Sequence, residues 1–327
     1  MNVEFLNFDR GTDIAAVTVL GIFALLGLII GAFVKVRNVT KGKNESSILG
    51  ALEAALLALL GGIIARLFIW LLLLPLTDLS SGAILVGHVF FLIPSVVDDF
   101  ISLGSSRVMA TPDGLLLLAT IVGSFSGMMD GIWRIHDWKG FGWLSFPLDM
   151  TWGLAGLNYS LLLHLVNFTW GNHVTTTRNN AHQYKSGFAF KGSYAFTQGS
   201  VMSSLSGNSE SKSFEHEMLH VWQNRAFGPF YTLSYIEWML FWFLPGLFAG
   251  AFCNKTESEE NVGVSNGIQR LCYYNNPWEV WTFKRHGLKR KSYGPELIWS
   301  SKAVILFMIP LYGSLIILLI CYYFMLL

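Results

Sequence analysis

Charged residues are scarce in this sequence: Asp, Glu, Lys and Arg together make up 13% of its 327 residues. An average soluble domain carries about 25%, so about half of the usual water-facing charge is missing. The hydrophobic fraction of 53% excludes a disordered chain and argues against a purely soluble protein. The formal net charge of +1 provides no overall field that would recruit nucleic acid, so we expect no nucleic-acid partner.

Cysteine and aspartate are sparse as well. The three cysteines, Cys253, Cys272 and Cys321, lie far apart and include no Cys-x-x-Cys pair. An odd number of such residues cannot form a closed disulfide framework. No aspartate follows Asp149, so a carboxylate that acts in the second half of the chain has to be a glutamate.

Long apolar stretches accompany this shortage of charge. A membrane-spanning helix needs about 20 mostly apolar residues, and six stretches approach or exceed that length: 14–34, 48–76, 83–97, 112–133, 146–168 and 303–327. The 12 tryptophans suit the two membrane interfaces. The predicted fold is mainly α, a polytopic transmembrane helix bundle in the lipid bilayer. It has about five spans in residues 1–168, a small α+β insert at residues 169–301 and a C-terminal transmembrane helix at residues 302–327.

The distribution of lysine and arginine predicts the orientation of these helices. They are concentrated in loop 35–47 and in residues 169–301, which include the basic run 284–291. Five spans put both segments on one side, which the positive-inside rule assigns to the cytoplasm. Residues 233–252 are also long enough to cross, but a Pro-Gly pair at 245–246 would break or kink a helix there.

One motif in the insert predicts a metal site. Residues 216–220 are His-Glu-Met-Leu-His, and the run ends at Gly228, as expected for a helix of about 14 residues. Its two histidines share a face and can hold one zinc ion, which keeps an open position in catalytic sites. Glu217, beside that face, is placed to act as the general base. The alternative is an amphipathic helix with two histidines on one side. Upstream, residues 188–203 predict a pair of short strands.

A catalytic zinc site usually has three protein ligands, and Glu279 is the favoured third ligand. Asn276 and Pro277 form a helix-start signal, which puts Glu279 in the first turn of a new helix. In that position it could instead be a capping carboxylate that needs no metal.

Glu237 is the rival third ligand, because an acid inside the apolar stretch 233–252 is unfavourable unless it has a role. If Glu279 shares an ion with His216 and His220, all three lie on one side of the membrane. Residues 233–252 then form a re-entrant or membrane-lying hairpin rather than a crossing.

Two segments of the insert resemble the zincin metallopeptidases, in the gluzincin branch with two histidine ligands and one glutamate: 216–231 (HEMLHVWQNRAFGPFY) and 276–281 (NPWEVW). They are most similar to poorly characterised bacterial membrane proteins with HExxHxxQ and a later Trp-Glu helix. The membrane layout is loosely similar to that of integral-membrane zinc peptidases that process prenylated proteins or degrade damaged membrane proteins. The resemblance covers residues 188–285. Two features depart from the family pattern: Leu219 stands where a small residue is usual, and no clear acid follows the third ligand to orient a histidine.

The resemblance implies a zinc cofactor and an edge strand at 194–203 that pairs with an extended polypeptide substrate. It also implies a bacterial inner membrane with the zinc site facing the cytoplasm. A donor to the cleaved carbonyl would complete the site, and the candidates are Tyr231, Tyr235, Tyr273, Tyr274 and His286. Gln223 and Arg225 could orient a ligand, although an exposed helix end is the interpretation that we favour for them.

Five further ionisable residues lie inside apolar stretches, where they are unfavourable in lipid unless they have a partner or a role. They are Glu53, Arg66, Asp130, Asp149 and His164. Asp130 and Arg134 are four residues apart, which predicts a local ion pair. Glu53, Asp149 and His164 could instead serve a small-solute transporter, a hypothesis that the lack of a visible inverted repeat disfavours.

The sequence therefore predicts a membrane-embedded, zinc-dependent metallopeptidase-like protein that hydrolyses peptide bonds of membrane-proximal polypeptides, with Glu217 as general base. The alternative is a non-enzymatic accessory or scaffold subunit of a larger membrane complex. Its metal site would be structural or vestigial, and its partner would be a membrane protein rather than a substrate.

Overall fold

A computed structural model provides the fold of the chain. It describes residues 10–34, 37–38, 43–44, 46–76, 78–102, 108–170, 172–174, 178–189, 194–206, 211–252 and 267–286. These residues are mainly helical, and the helices are α1 (Arg10–Phe33), α2 (Ser47–Leu73), α3 (Leu79–Phe90), α4 (Leu92–Ile101), α5 (Pro112–Trp133), α6 (Gly142–Met150), α7 (Leu154–Trp170), α8 (Lys212–Phe227), α9 (Pro229–Phe252) and α10 (Pro277–His286). A π-helical segment, Gln269–Tyr274, precedes α10.

The chain divides into two units. The first comprises Met1–Gly207 and Asn224–Pro229, and the second comprises Asn208–Gln223 and Phe230–Leu327. Helices α1 to α7 and all the described strands belong to the first unit. The HExxH motif and helix α10 belong to the second.

Three helices of the first unit are long and apolar enough to cross a membrane: Gly11–Phe33, Ser47–Leu73 and Pro112–Trp133. Of the 18 most apolar consecutive residues in each helix, 17% are buried in α1, 39% in α2 and 78% in α5. Helix α5 is therefore the central one of the three. Large apolar side chains on α1 and α2 remain exposed, as expected for faces that contact lipid.

Glycines let α2 and α5 pack backbone against backbone. A Cβ atom added to Gly61 would lie 2.3 Å from the carbonyl oxygen of Gly123, and one added to Gly127 would lie 2.0 Å from that of Leu57. Such distances leave no room for a side chain. Close approach through small residues is typical of helices that associate within a membrane, where burial of apolar surface from water supplies no driving force between them.

Two of the predicted spans are wrong, because each is divided into two shorter helices. Residues 83–97 belong to α3 and α4, which are separated at Phe91, a residue with a non-helical φ of −133° and ψ of 47°. Residues 146–168 belong to α6 and α7, which are separated at 151–153. None of these four helices reaches the length of about 20 residues that a span needs. The predicted helix at 302–327 lies outside the described residues.

A three-stranded sheet belongs to the first unit. Strands β4 (Phe196–Gln198) and β5 (Val201–Ser203) form an antiparallel hairpin, and β3 (His182–Gln183) pairs with β5 in parallel. Gly199 makes the tight turn between β4 and β5 with a φ of 57°, which favours glycine. The predicted strand pair is thus present in the C-terminal half of residues 188–203. Two shorter strands, β1 (Arg37–Asn38) and β2 (Lys43–Asn44), pair antiparallel in the loop after α1.

The predicted hairpin at residues 233–252 is wrong, because α9 is one continuous helix with Pro245 inside it. A proline removes one backbone hydrogen bond, and a long apolar helix can tolerate this loss. The backbone of Ile268 approaches at the next position, where a Cβ atom added to Gly246 would lie 2.8 Å from the Ile268 Cα atom. The Pro-Gly pair therefore accompanies a close backbone contact rather than a turn.

The buried polar side chains of the first unit form a hydrogen-bonded chain around Asp130. Its carboxylate accepts hydrogen bonds from Nε2 of His136 and from Nε2 of His182, both at 2.8 Å. Nδ1 of His182 lies 2.9 Å from Nε2 of His173, whose Nδ1 donates to the carbonyl of Val174.

The two ends of this chain are hydrogen-bond acceptors. The Val174 carbonyl and the Asp130 carboxylate can only accept, so the ring nitrogens that face them both carry hydrogen. Asp130 is therefore the acceptor at one end of a chain of buried imidazoles.

Asp130 of α5 and Asp149 of α6 therefore each have a partner that is distant in sequence. The predicted pair of Asp130 with Arg134 is wrong, since Arg134 ends α5 in a left-handed conformation with a φ of 51° and Asp130 bonds to histidines instead. Asp149 forms a buried ion pair with Arg225, with contacts of 2.9 and 2.7 Å. The expectation of an exposed helix end at Arg225 is also wrong, because only 1% of this residue is exposed.

Replacing Asp130 with Asn should destabilise the fold by about 1–3 kcal/mol, because the amide offers one accepting oxygen in place of two and leaves one buried histidine N–H without an acceptor. Unfolding in mixed detergent micelles measures this change. Asp137→Asn is the control, since its partially buried carboxylate accepts from the Lys139 N–H and an amide oxygen can do the same. We expect that control to change stability by about 0.5 kcal/mol or less. Equal stability of Asp130→Asn and wild type would show that the carboxylate does not accept both histidine hydrogen bonds.

Candidate metal centre

Helix α8 carries the HExxH motif, as the sequence predicts. The helix begins at Lys212, and the Ser211 hydroxyl accepts a hydrogen bond from the Phe214 N–H, which caps the first turn. His216 and His220 follow one turn apart, and their Nε2 atoms are 3.2 Å from each other. Both imidazoles are buried. The two histidines therefore point their ligand atoms at one place.

Helix α10 brings Glu279 to the same place. The side chain of Asn276 accepts from the Trp278 N–H, so the predicted cap is present and Glu279 lies in the first turn. One carboxylate oxygen of Glu279 is 3.1 Å from Nε2 of His216, and the other is 3.1 Å from Nε2 of His220. The carboxylate thus faces the two histidines.

Glu237, the rival third ligand, does not join this group. It is exposed on α9 and is not a member of the cluster. The helix contributes Tyr235 instead, whose hydroxyl donates to Glu279 at 2.8 Å. That hydrogen bond restrains the carboxylate through the oxygen that also faces His220.

The three ligand atoms have the spacing of a tetrahedral metal site. An ion with bonds of about 2.0–2.1 Å holds tetrahedral ligands about 3.3 Å apart. The two Nε2 atoms are 3.2 Å apart, and each lies 3.1 Å from a different oxygen of the Glu279 carboxylate. Two imidazoles and one carboxylate are a ligand set of catalytic zinc sites. Among the described residues, His216, His220 and Glu279 are the one group of three or more metal-binding side chains close enough to hold an ion.

Gln223 lies behind the site and not at an exposed helix end, which corrects the sequence interpretation. It is 2% exposed, and its Oε1 atom lies 2.8 Å from Nδ1 of His220. Its Nε2 atom donates to the carbonyl of Trp278 at 3.4 Å. The spacing of three residues from His220, which places both side chains on one helix face, was the available sequence signal.

The electrostatics of the site favour a cation. Burial acts to lower the pKa of His220, but the carboxylates of Glu279 and Glu217 and the hydrogen bond to Gln223 outweigh it and raise this pKa to about 9. Burial acts to raise the pKa of Glu279, but His220 and His216 outweigh it and lower this pKa below its ordinary value. Without a metal, the site therefore holds a proton between His220 and Glu279.

Glu217 is buried next to this group of ligand atoms but is not a member of it. Only 6% of it is exposed, and its charge contributes to the raised pKa of both His220 and Tyr273. Its carboxylate therefore lies near both residues, beside the three ligand atoms rather than among them.

The structure distinguishes among the predicted carbonyl donors. The Tyr231 hydroxyl is 3.2 Å from Nδ1 of His220, on the opposite side of the ring from the ligand atom Nε2. It therefore contacts a ligand from behind. Nδ1 of His286 is 3.3 Å from Glu215, and Tyr274 packs against Phe283.

Tyr273 reaches the same carboxylate as Tyr235 does. Its hydroxyl is hydrogen-bonded to Glu279, and burial together with the charges of Glu279 and Glu217 raises its pKa well above the ordinary value. It stays protonated over the physiological range and can donate. Thr282 also reaches the site, with its hydroxyl 3.3 Å from Nε2 of His216, and no sequence motif marked it.

Zinc binding should weaken as the pH falls below about 9, because His220 is then protonated and a metal needs its lone pair. One competing proton lowers the apparent affinity about tenfold for each pH unit below the pKa. Competition with a chelator of known affinity, corrected for its own protonation, measures this dependence. An affinity that stays constant below the pKa of His220 would contradict the proton assignment.

Comparison with protein-family models found no match, and comparisons with curated proteins and with solved structures found none either.

Proposed function

We propose that this chain is a membrane-embedded, zinc-dependent metallopeptidase that hydrolyses peptide bonds of membrane-proximal polypeptides. The observation that carries the proposal is the convergence of His216, His220 and Glu279: the two Nε2 atoms are 3.2 Å apart, and each is 3.1 Å from one oxygen of the carboxylate. These residues come from two helices separated by some sixty positions, so a chance pairing along one helix does not explain them. They would hold the zinc ion.

The remaining residues of the site then have distinct tasks. Zinc, when bound, supplies a Lewis acid that lowers the pKa of water and polarises a carbonyl oxygen. Glu217 takes the proton from the attacking water and delivers it to the amine that leaves. Tyr273 donates to the carbonyl oxygen as charge develops there. Tyr235 holds Glu279 through its hydroxyl.

The membrane helices support a cytoplasm-facing site. Helices α2 and α5 are the two candidate spans between loop 35–47 and the residues that follow α5. Two crossings return the chain to the side from which it started. The four spans predicted from the sequence between loop 35–47 and residue 169 would have had the same result. The residues that follow α5 would then lie on the side of the basic loop 35–47, which the positive-inside rule assigns to the cytoplasm. By its resemblance, the membrane would be a bacterial inner membrane.

The test uses the full-length protein purified in detergent and returned to lipid vesicles. We expect bound zinc and cleavage of unfolded polypeptides anchored to the same vesicles, with activity that a chelator removes and added zinc restores. Full zinc occupancy with intact polypeptides would favour the accessory or scaffold subunit instead. Absence of zinc binding would overturn both the site and the activity.

A further inference from the structure

The buried amide of Gln223 connects the two parts of the candidate metal centre. Its oxygen accepts from the Nδ1 side of His220 at 2.8 Å, and its nitrogen donates to the Trp278 carbonyl at 3.4 Å. Trp278 directly precedes Glu279 in α10. One side chain on α8 therefore contacts a candidate ligand of its own helix and the backbone beside the candidate ligand of the other helix.

The Trp278 carbonyl determines which way this amide points. An amide has one accepting end and one donating end, and the Trp278 carbonyl can only accept. The NH₂ group of Gln223 therefore faces Trp278, because the opposite orientation would place two oxygens against each other. The oxygen of Gln223 is then left to face His220.

The orientation of the amide in turn selects one tautomer of His220. An amide oxygen accepts only, so Nδ1 of His220 has to carry the hydrogen. The Tyr231 hydroxyl, 3.2 Å from the same nitrogen, can adapt to this choice because a hydroxyl both donates and accepts. In the neutral ring the lone pair is then on Nε2, the atom that faces His216 and Glu279. This is the tautomer that binds a metal at Nε2.

Trp278, whose carbonyl orients the amide of Gln223, is itself held in place. The Trp278 indole N–H donates to the hydroxyl of Ser234 at 2.9 Å, and Trp278 is 2% exposed. The Trp278 carbonyl therefore belongs to a residue restrained on both its backbone and its side chain.

We propose that Gln223 is a positioning residue for zinc, which holds His220 in its metal-binding tautomer and ties the first turn of α10 to α8. This inference rests on the proposed function, since it requires that His216, His220 and Glu279 bind zinc. The sequence lacks the acid that usually follows the third ligand and orients a histidine. We assign that orienting role to the neutral amide of Gln223, one turn after His220.

The test compares zinc affinity in two buried glutamine variants. Gln223→Met keeps the volume but removes both hydrogen bonds, and we expect it to weaken zinc binding about 10–100-fold, the usual effect of losing a group that orients a metal ligand. Gln183→Met is the matched control. Gln183 is also 2% exposed, and its amide nitrogen likewise donates to a backbone carbonyl, that of Leu205. It belongs to the first unit, so its loss should lower stability without changing zinc affinity.

A third variant distinguishes loss of the His220 orientation from a general loss of folding. Gln223→Glu restores an acceptor for the His220 N–H but not the donor to Trp278, so we expect it to bind zinc more tightly than Gln223→Met. The absorption spectrum of the cobalt-substituted protein gives a second readout, because a change in His220 geometry shifts the ligand-field bands. All measurements use protein that elutes as a folded species from size-exclusion chromatography.

The outcomes separate this inference from the proposed function. If wild type binds zinc and Gln223→Met binds it equally well, the positioning role is overturned and the metal site stands. The same follows if Gln183→Met loses as much affinity as Gln223→Met. If wild type binds no zinc, both proposals fail together.

Discussion

Replacing Glu217 with Gln is expected to leave zinc bound and to lower kcat/KM by about 10²–10⁴-fold, the usual contribution of a general acid–base group. The amide keeps the shape of the side chain but cannot take a proton from water. Zinc content should stay unchanged, because Glu217 lies beside the three ligand atoms and is not one of them. The measurement combines metal analysis with cleavage of a vesicle-anchored polypeptide.

Glu215→Gln provides the control on the same helix. Glu215 is exposed two residues earlier and contacts His286, so its loss should affect neither zinc nor cleavage. Full activity in Glu217→Gln would show that another group removes the proton from water. Loss of zinc from that variant would instead make Glu217 a ligand and reverse the present assignment.

Replacing Glu279 with Gln should lower zinc affinity by more than about 100-fold, because it removes a charged ligand. Loss of a residue that only orients a ligand costs at most about 100-fold. The amide contributes no negative charge. Its NH₂ group would also face one of the histidine Nε2 atoms, which in the wild type faces a carboxylate oxygen. Chelator competition measures the affinity of the purified protein. We also expect cleavage to fall in proportion to the zinc lost.

Glu237→Gln is the control for this prediction, since Glu237 was the rival ligand and is exposed on α9. We expect its zinc affinity to equal that of wild type. The opposite pattern, with zinc lost from Glu237→Gln and kept by Glu279→Gln, would assign the third ligand to α9 and refute the geometry described above.

The parts of the site that were predictable depend on local rules. Helical periodicity places His216 and His220 on one face whatever surrounds them. The pair Asn276 and Pro277 starts a helix by its own capping chemistry, and this put Glu279 in a first turn. The absence of aspartate after Asp149 reduced the choice of carboxylate to a few glutamates.

The parts that were missed depend on contacts between distant segments. Gln223 is polar and near a helix end, and these two features predicted an exposed side chain. It is buried instead, with hydrogen bonds to His220 and to the Trp278 carbonyl. Asp130 had a cation four residues away in Arg134, yet its partners are histidines, one of them more than fifty positions downstream. No spacing rule along the chain identifies such a partner.

The span count was overestimated for a related reason. Hydropathy registers how apolar a stretch is, but a helix has to continue for about 20 residues to cross. Residues 83–97 and 146–168 are apolar enough, and each is interrupted at a non-helical residue. In contrast, Pro245 suggested an interruption in α9 that the helix does not contain.

By itself, the sequence determined the long apolar helices that could cross a membrane, the face shared by His216 and His220, and the helix start that carries Glu279. These follow from composition and from interactions within a few residues. Only the tertiary structure decided that the carboxylate of Glu279 meets both imidazoles and that the amide of Gln223 lies behind His220. The reason is physical: such positions depend on how separate helices pack, and packing is determined by the whole set of long-range contacts rather than by any one segment.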